Sequence, residues 1–183
     1  DARLICASNW AYAIAGAGNV APLPPYDSAS GLSGPMSAFA TGSRRIDAAL
    51  VGSGPDGVVV AFRGTLPPAS ADHRQTLDDW LHDLEVALVS GDKLPGRVHH
   101  GFLGALDALW PDVAAEVSRR LADSPVKRLA ITGHSKGGSV AHVAAARFAL
   151  SALVHGSDIC VRTFEGAHPG DRAFADGYQR LVP

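Results

Sequence analysis

Apolar and polar residues follow two periodicities along this chain, and they divide it into strands and helices. Val58-Val59-Val60-Ala61-Phe62 is a continuous, mostly β-branched run, the mark of a strand buried on both faces. Ile46–Gly52 precedes it across a Gly-Ser-Gly-Pro turn, so the pair reads as a hairpin feeding a central sheet. Arg128–Thr132 and Asp158–Phe164 are further short apolar strands. Between and around them lie helical stretches: residues 3–15, rich in Ala with few breakers, then Gly101–Asp123 and the Ala/Val run Ser139–Ala152. Pro111 should begin a new helix or kink the one it interrupts. Trp80–Leu88 is amphipathic and is broken by Ser-Gly-Asp-Lys-Leu-Pro-Gly. Gly16–Gly34 and residues 66–79 read as loops, and Gly166–Gly170 as a turn. Strands alternating with helices predict an α/β domain, its sheet mainly parallel and covered by helices on both faces.

Composition narrows the class of partner. The 183 residues suffice for one domain with a full core, and the chain reads as a single domain over residues 1–183. Apolar residues make up 46% and charged residues 19%, with a net charge of −2. That balance supplies no basic surplus for phosphate, so no nucleic-acid partner is expected. No apolar run is long enough to suggest a membrane span. The opening segment has no basic leader, cleavage site or initiator Met, and reads as the start of a mature or trimmed chain. Cys6 and Cys160 read either as small buried hydrophobes or, in a secreted protein, as a disulfide. Secretion is favoured over a cytoplasmic location.

The chemistry is concentrated in Leu129-Ala130-Ile131-Thr132-Gly133-His134-Ser135-Lys136-Gly137-Gly138. Here a buried strand enters Gly-x-Ser-x-Gly and passes straight into a helix. A serine at so tight a turn is forced into strained backbone angles that lift its hydroxyl clear of the sheet. Gly133 and Gly137 are required because side chains there would strike the neighbouring strand and helix. The helix that follows aims its unpaired N–H groups and positive end at the reacting centre, and the Lys136 N–H would donate to an oxyanion. Gly-x-Ser-x-Gly alone also fits a Gly-rich turn with a capping Ser; the flanking strand and helix favour the catalytic reading. Phe62-Arg63-Gly64-Thr65 ends the other buried strand, where a second oxyanion donor belongs, and Thr65 offers both an N–H and a hydroxyl. The same residues also fit an ordinary strand-ending turn.

Together these segments resemble the class 3 (fungal-type) lipases of the α/β-hydrolase superfamily. That family carries F-R-G-[ST], W-x-x-D-L, V-H-x-G-F, G-H-S-x-G-G and T-F-G-x-P-x-x-G-N/D-x-x-F in this order. Here they are Phe62–Thr65, Trp80–Leu84, Val98–Phe102, Gly133–Gly138 and Thr163–Phe174. The resemblance implies hydrolysis of an ester or lipid substrate through a Ser135 acyl-enzyme, with Thr65 and the Lys136 N–H as oxyanion hole and no metal or cofactor. It also implies a mobile lid within about residues 66–95 that makes transient contact with a lipid interface. Asp83 and His100 fall on family positions that are usually structural. Two residues depart from the pattern. Lys136 stands where the family usually has Leu; it either runs out to solvent, the favoured reading, or favours an anionic substrate group, and His168 stands where Arg is common.

Serine catalysis also needs a base and an acid, in this fold ordered after the nucleophile as acid then His. Tyr178–Val182 reads as the opening of the strand that leads to the acid. The acid and His are therefore expected beyond Pro183, in a C-terminal companion chain or segment that completes the domain. His142, His155 and His168, with Asp158, are the internal candidates and are disfavoured: His142 should point away from the hydroxyl, and Asp158 should lie at the wrong edge of the sheet. The alternatives left open are a catalytically impaired hydrolase-fold binding or scaffold domain, and a related acyltransferase, feruloyl esterase or polyester esterase.

Overall fold

A computed structural model describes residues 2–14, 18–20, 31–41, 46–65 and 87–183. Its core is a six-stranded sheet. Strands β1 (Gly18–Val20), β2 (Ser33–Thr41), β3 (Asp47–Gly54) and β4 (Gly57–Phe62) are joined antiparallel in chain order. Beside β4 lie β7 (Leu129–His134) and then β8 (Ile159–Phe164), each parallel to its neighbour. A separate two-stranded ribbon pairs β5 (Leu88–Ser90) with β6 (Arg97–His99).

Alternation along the strands separates two cores. Ala49, Val51, Val58, Val60 and Phe62 face helices α2 (His100–Asp123) and α3 (Lys136–Leu150). Ala48, Leu50 and Ala61 face the opposite way, against Ala7, Trp10 and Ala11 of α1 (Ala2–Trp10) and the single 3₁₀ turn that continues it. A period of two therefore gives each face of the sheet its own helical cover.

Helix α2 runs unbroken through Pro111. Its buried stripe of Phe102, Ala105, Leu106, Leu109, Val113, Val117 and Leu121 continues across the proline at helical spacing. Pro111 itself is exposed, so water can take the Asp107 carbonyl that the ring leaves without a donor. Glu116 and Arg120 then fasten the helix to the antiparallel half of the sheet. Ser37 donates to Glu116 at 2.8 Å, and Arg120 donates to the Pro35 carbonyl at 2.8 Å.

Several expectations need correction. The loop expected over Gly16–Gly34 contains β1 and the start of β2. Pro35 is accommodated in β2 because the pairing register shifts between Ser33 and Ser37. Tyr178–Val182 does not open a strand: Arg172–Leu181 is a helix, α4. Asp171 caps it by accepting the Phe174 N–H at 2.9 Å, and Phe174 and Gly177 bury at helical spacing. Cys6 and Cys160 are unpaired; Cys160 is exposed on β8, which also removes the buried-hydrophobe reading for it. Leu88 belongs to a strand, and Leu94 is buried in the main core, so this end of the expected lid is part of the packed body. The rest of the lid segment, Trp80 and Asp83 lie outside the described residues.

Candidate active site

The register of the parallel strands builds the site. Phe62 is opposite Gly133, and His134 is opposite Phe164, so Ser135 emerges where the carboxyl ends of β4, β7 and β8 come level. Open α/β sheets place ligands at that edge. Ser135 has φ 54° and ψ −127°, a region costly for any residue with a side chain, by about 1–3 kcal/mol. Its N–H donates to the Phe164 carbonyl at 2.9 Å, and α3 begins at the next residue. Among the described residues the Ser135 hydroxyl has no hydrogen-bond partner, although the side chain is half-buried.

The glycines show why positions 133 and 137 of this turn tolerate no side chain. A Cβ on Gly133 would lie 2.3 Å from the Gly137 carbonyl carbon, and one on Gly137 would lie 2.2 Å from the Phe62 carbonyl oxygen. Helix α3 is thus packed backbone to backbone against the ends of β4 and β7. The Gly138 N–H donates to the Ser135 carbonyl at 2.9 Å, while the Lys136 and Gly137 N–H groups open the helix, at its positive end, directly after Ser135.

The segment that ends in Thr65 meets the same turn. A Cβ on Gly64 would come within 2.5 Å of the His134 carbonyl oxygen and 2.1 Å of the Tyr12 hydroxyl. The Thr65 hydroxyl is buried and lacks a partner among the described residues. Arg63 is 4% exposed and holds this segment in place. Its guanidinium donates to the Ile14 carbonyl at 2.8 Å and to the Ile46 carbonyl at 3.2 Å. Burial lowers the guanidinium pKa, opposed by the negative charge of Asp47 and by Tyr12.

Both residues that flank Ser135 are anchored through their side chains, which the sequence did not reveal. The Tyr12 hydroxyl lies 2.8 Å from His134 Nδ1. Burial raises the phenol pKa, against a backbone hydrogen bond with Gly64. Nε2 faces Glu165 Oε2 at 3.3 Å, and because a carboxylate only accepts, the contact suits the tautomer with its proton on Nε2, in which Nδ1 accepts from the Tyr12 hydroxyl. Lys136 does not run out to solvent. Its ammonium pairs with Asp47, with side-chain exposures of 11% and 24%.

Of the internal histidines, His142 and His155 are otherwise engaged. His142 Nε2 lies 3.3 Å from Thr163 Oγ1, and its ring meets Tyr178 edge-on. His155 caps the 3₁₀ turn Gly156–Asp158. Asp158 precedes Ile159, which pairs with Leu129 at the far end of β7, about 20 Å from Ser135 at the usual rise per residue. His168 is exposed in the turn after β8, and His100 is exposed at the start of α2. Among the described residues no three His, Cys, Asp or Glu converge to hold a metal ion.

The family model for Lipase (class 3) matches residues 59–183. The chain belongs to the class 3 lipases. It is similar to the secreted mono- and diacylglycerol lipase 1 of Fusarium solani, 32% identical over 90 residues, which are 49% of this chain and 24% of that one. It is also similar to the phospholipase A1-II 4 of Oryza sativa subsp. japonica, 32% identical over 194 aligned positions, 93% of this chain and 45% of that one. A solved triacylglycerol lipase whose catalytic centre is described as a serine protease triad superposes with a TM-score of 0.77. It is 22% identical, covering 99% of this chain and 66% of that one, and shows the α/β-hydrolase fold. The chain thus spans less than half the length of these curated relatives of the lipase family.

Proposed function

We propose that this class 3 lipase domain hydrolyses carboxylic esters of lipid character through an acyl-enzyme on Ser135. In this reading the Ser135 oxygen bonds to the ester carbonyl carbon as a base takes the hydroxyl proton. The carbonyl oxygen, now anionic, accepts hydrogen bonds from the Lys136 N–H and from Thr65. Collapse of this intermediate expels the alcohol, which takes up the proton, and water then releases the acid by the same steps. The observation that carries the reading is the strained Ser135, placed between the start of α3 and the Arg63–Thr65 segment.

We infer that residues 1–183 form one incomplete hydrolase domain, and that the acid and the base come from a C-terminal segment or companion chain. The engagement of His142 and the distant edge held by Asp158 support this. So does the longer reach of the relatives. Secretion is proposed from the likeness to the secreted Fusarium solani lipase.

The deciding experiment treats the full encoded polypeptide with a fluorophosphonate and locates the adduct by mass spectrometry, alongside turnover of p-nitrophenyl esters. Labelling at Ser135, with a loss of roughly 10⁴-fold or more in kcat for Ser135→Ala, is expected. An active protein that is never labelled at Ser135 rejects the assignment.

A further inference from the structure

We propose that Asp47 is a positioning residue that ties together the two arms of the oxyanion hole, one formed by the Arg63–Thr65 segment and the other by the start of α3. The inference rests on reading Ser135 as nucleophile with Thr65 and Lys136 as the donors.

The two arms belong to different parts of the fold. Thr65 follows β4, while the Lys136 N–H opens α3. An oxyanion hole works only if its donors are already aimed at one point, about 2.7–3.1 Å from where the charge develops. Something must therefore fix the spacing between the arms. Residues 46–48 touch both. The Asp47 carboxylate pairs with the Lys136 ammonium. On either side of Asp47, the Ile46 carbonyl accepts from the Arg63 guanidinium at 3.2 Å, and the Ala48 carbonyl accepts from the Arg63 N–H at 2.9 Å.

Charge reinforces the geometry. Asp47 lies between two cationic side chains, and its attraction to Arg63 offsets part of the cost of burying that guanidinium. At 11% and 24% exposure the Asp47–Lys136 pair is little screened by water. Position 136 carries Lys where the family pattern has Leu. A Leu would be held there by packing, whereas this side chain is held by a partner on β3. The lysine at the elbow is thus read as a tether for the backbone N–H beside it, neutralised by Asp47, rather than as a site for an anionic substrate.

The test uses the full encoded polypeptide with Asp47→Asn, Asp47→Glu and Lys136→Met, assayed on a soluble p-nitrophenyl ester well below the unfolding temperature of each. Asp47→Asn and Lys136→Met are expected to lower kcat about tenfold, with KM within about twofold and a matching drop in fluorophosphonate labelling rate. Asp47→Glu should recover much of the loss. Circular dichroism establishes that each variant is folded, and Lys136→Met tests the same tether should Asp47→Asn fail to fold. Wild-type kcat in the folded variants, or a change confined to KM, overturns the inference while leaving Ser135 in place. Absence of label at Ser135 in the active wild-type protein instead rejects the underlying site reading, and the inference falls with it.

Discussion

Gly137 and Phe62 are in backbone contact: a Cβ on Gly137 would sit 2.2 Å from the Phe62 carbonyl oxygen, far inside any real contact distance. The first turn of α3 therefore rests directly on the end of β4, and this contact limits how closely Ser135 and the Arg63–Thr65 segment approach, while the Asp47–Lys136 pair holds them from separating. Gly137→Ala would force the helix away from the strand. A backbone neighbour cannot rotate aside, so the expected cost is about 2–3 kcal/mol or more, a fall in Tm of roughly 5–10 °C. Labelling of Ser135 should slow by more than the stability change explains, because the proposed oxyanion donors, Thr65 and the Lys136 N–H, move apart. Differential scanning calorimetry with fluorophosphonate kinetics checks both.

Tyr12 reaches the site from the far end of the sequence. Tyr12→Phe removes the donor to His134 Nδ1 and leaves a partly buried nitrogen unmatched. The expected loss is about 1 kcal/mol in stability and several-fold in kcat, with the imidazole free to exchange tautomers. The ¹⁵N shifts of His134 read the tautomer directly: a single Nε2–H form is expected in the wild type and a mixture in the variant.

These contacts mark how far the sequence could be read. The turn at Ser135 was legible because everything that makes it is local: a β-branched strand, paired glycines and a helix in immediate succession. Val58–Phe62 was legible for the same reason. The side-chain anchors were not, because their partners are remote: Asp47 lies 89 positions from Lys136, and Tyr12 lies 122 from His134. Lys136 looked like a solvent-seeking cation, and only the chain path of β3 supplies its carboxylate. At Tyr178–Val182 a local signal was present but outweighed. Asp171 with an apolar residue three positions on is a helix start, yet the β-prone Tyr, Leu and Val invited a strand. Strand β2 lacked periodicity because Pro35 sits at a register shift.

Acid sensitivity is expected from Glu116. Hydrogen bonds from Arg119 chiefly, and from Ser37 and Arg120, pull its carboxyl pKa from 4.5 to about 2. The folded pKa lies below the unfolded one, so this contribution is fully present above about pH 4.5 and is lost as pH falls toward 2. Its size is about 2–3 kcal/mol after allowing for the exposed Arg119 partner. Urea titrations of the wild type and Glu116→Gln between pH 2 and 6 should show a stability difference that is constant above pH 4.5 and shrinks as pH falls from 4.5 toward 2. Parallel curves would mean that the carboxylate does not hold α2 to Ser37.

His142 gives a second, higher pH window and also tests where the catalytic base lies. Burial lowers its pKa from 6.5, so the folded ring is neutral, bonded to Thr163 and edge-on to Tyr178, whose own pKa is pushed up to about 12. The unfolded chain takes up this proton as pH falls through 6.5, while the folded chain resists, so stability declines below that pH until the folded group titrates. His142→Gln cannot be protonated and should abolish this decline while leaving the Glu116 window untouched. If the base lies outside residues 1–183, the same variant should retain ester hydrolysis within a few-fold of wild type. A loss on the order of 10³-fold or more, in a protein still folded by calorimetry, would instead identify His142 as the base that takes the Ser135 proton.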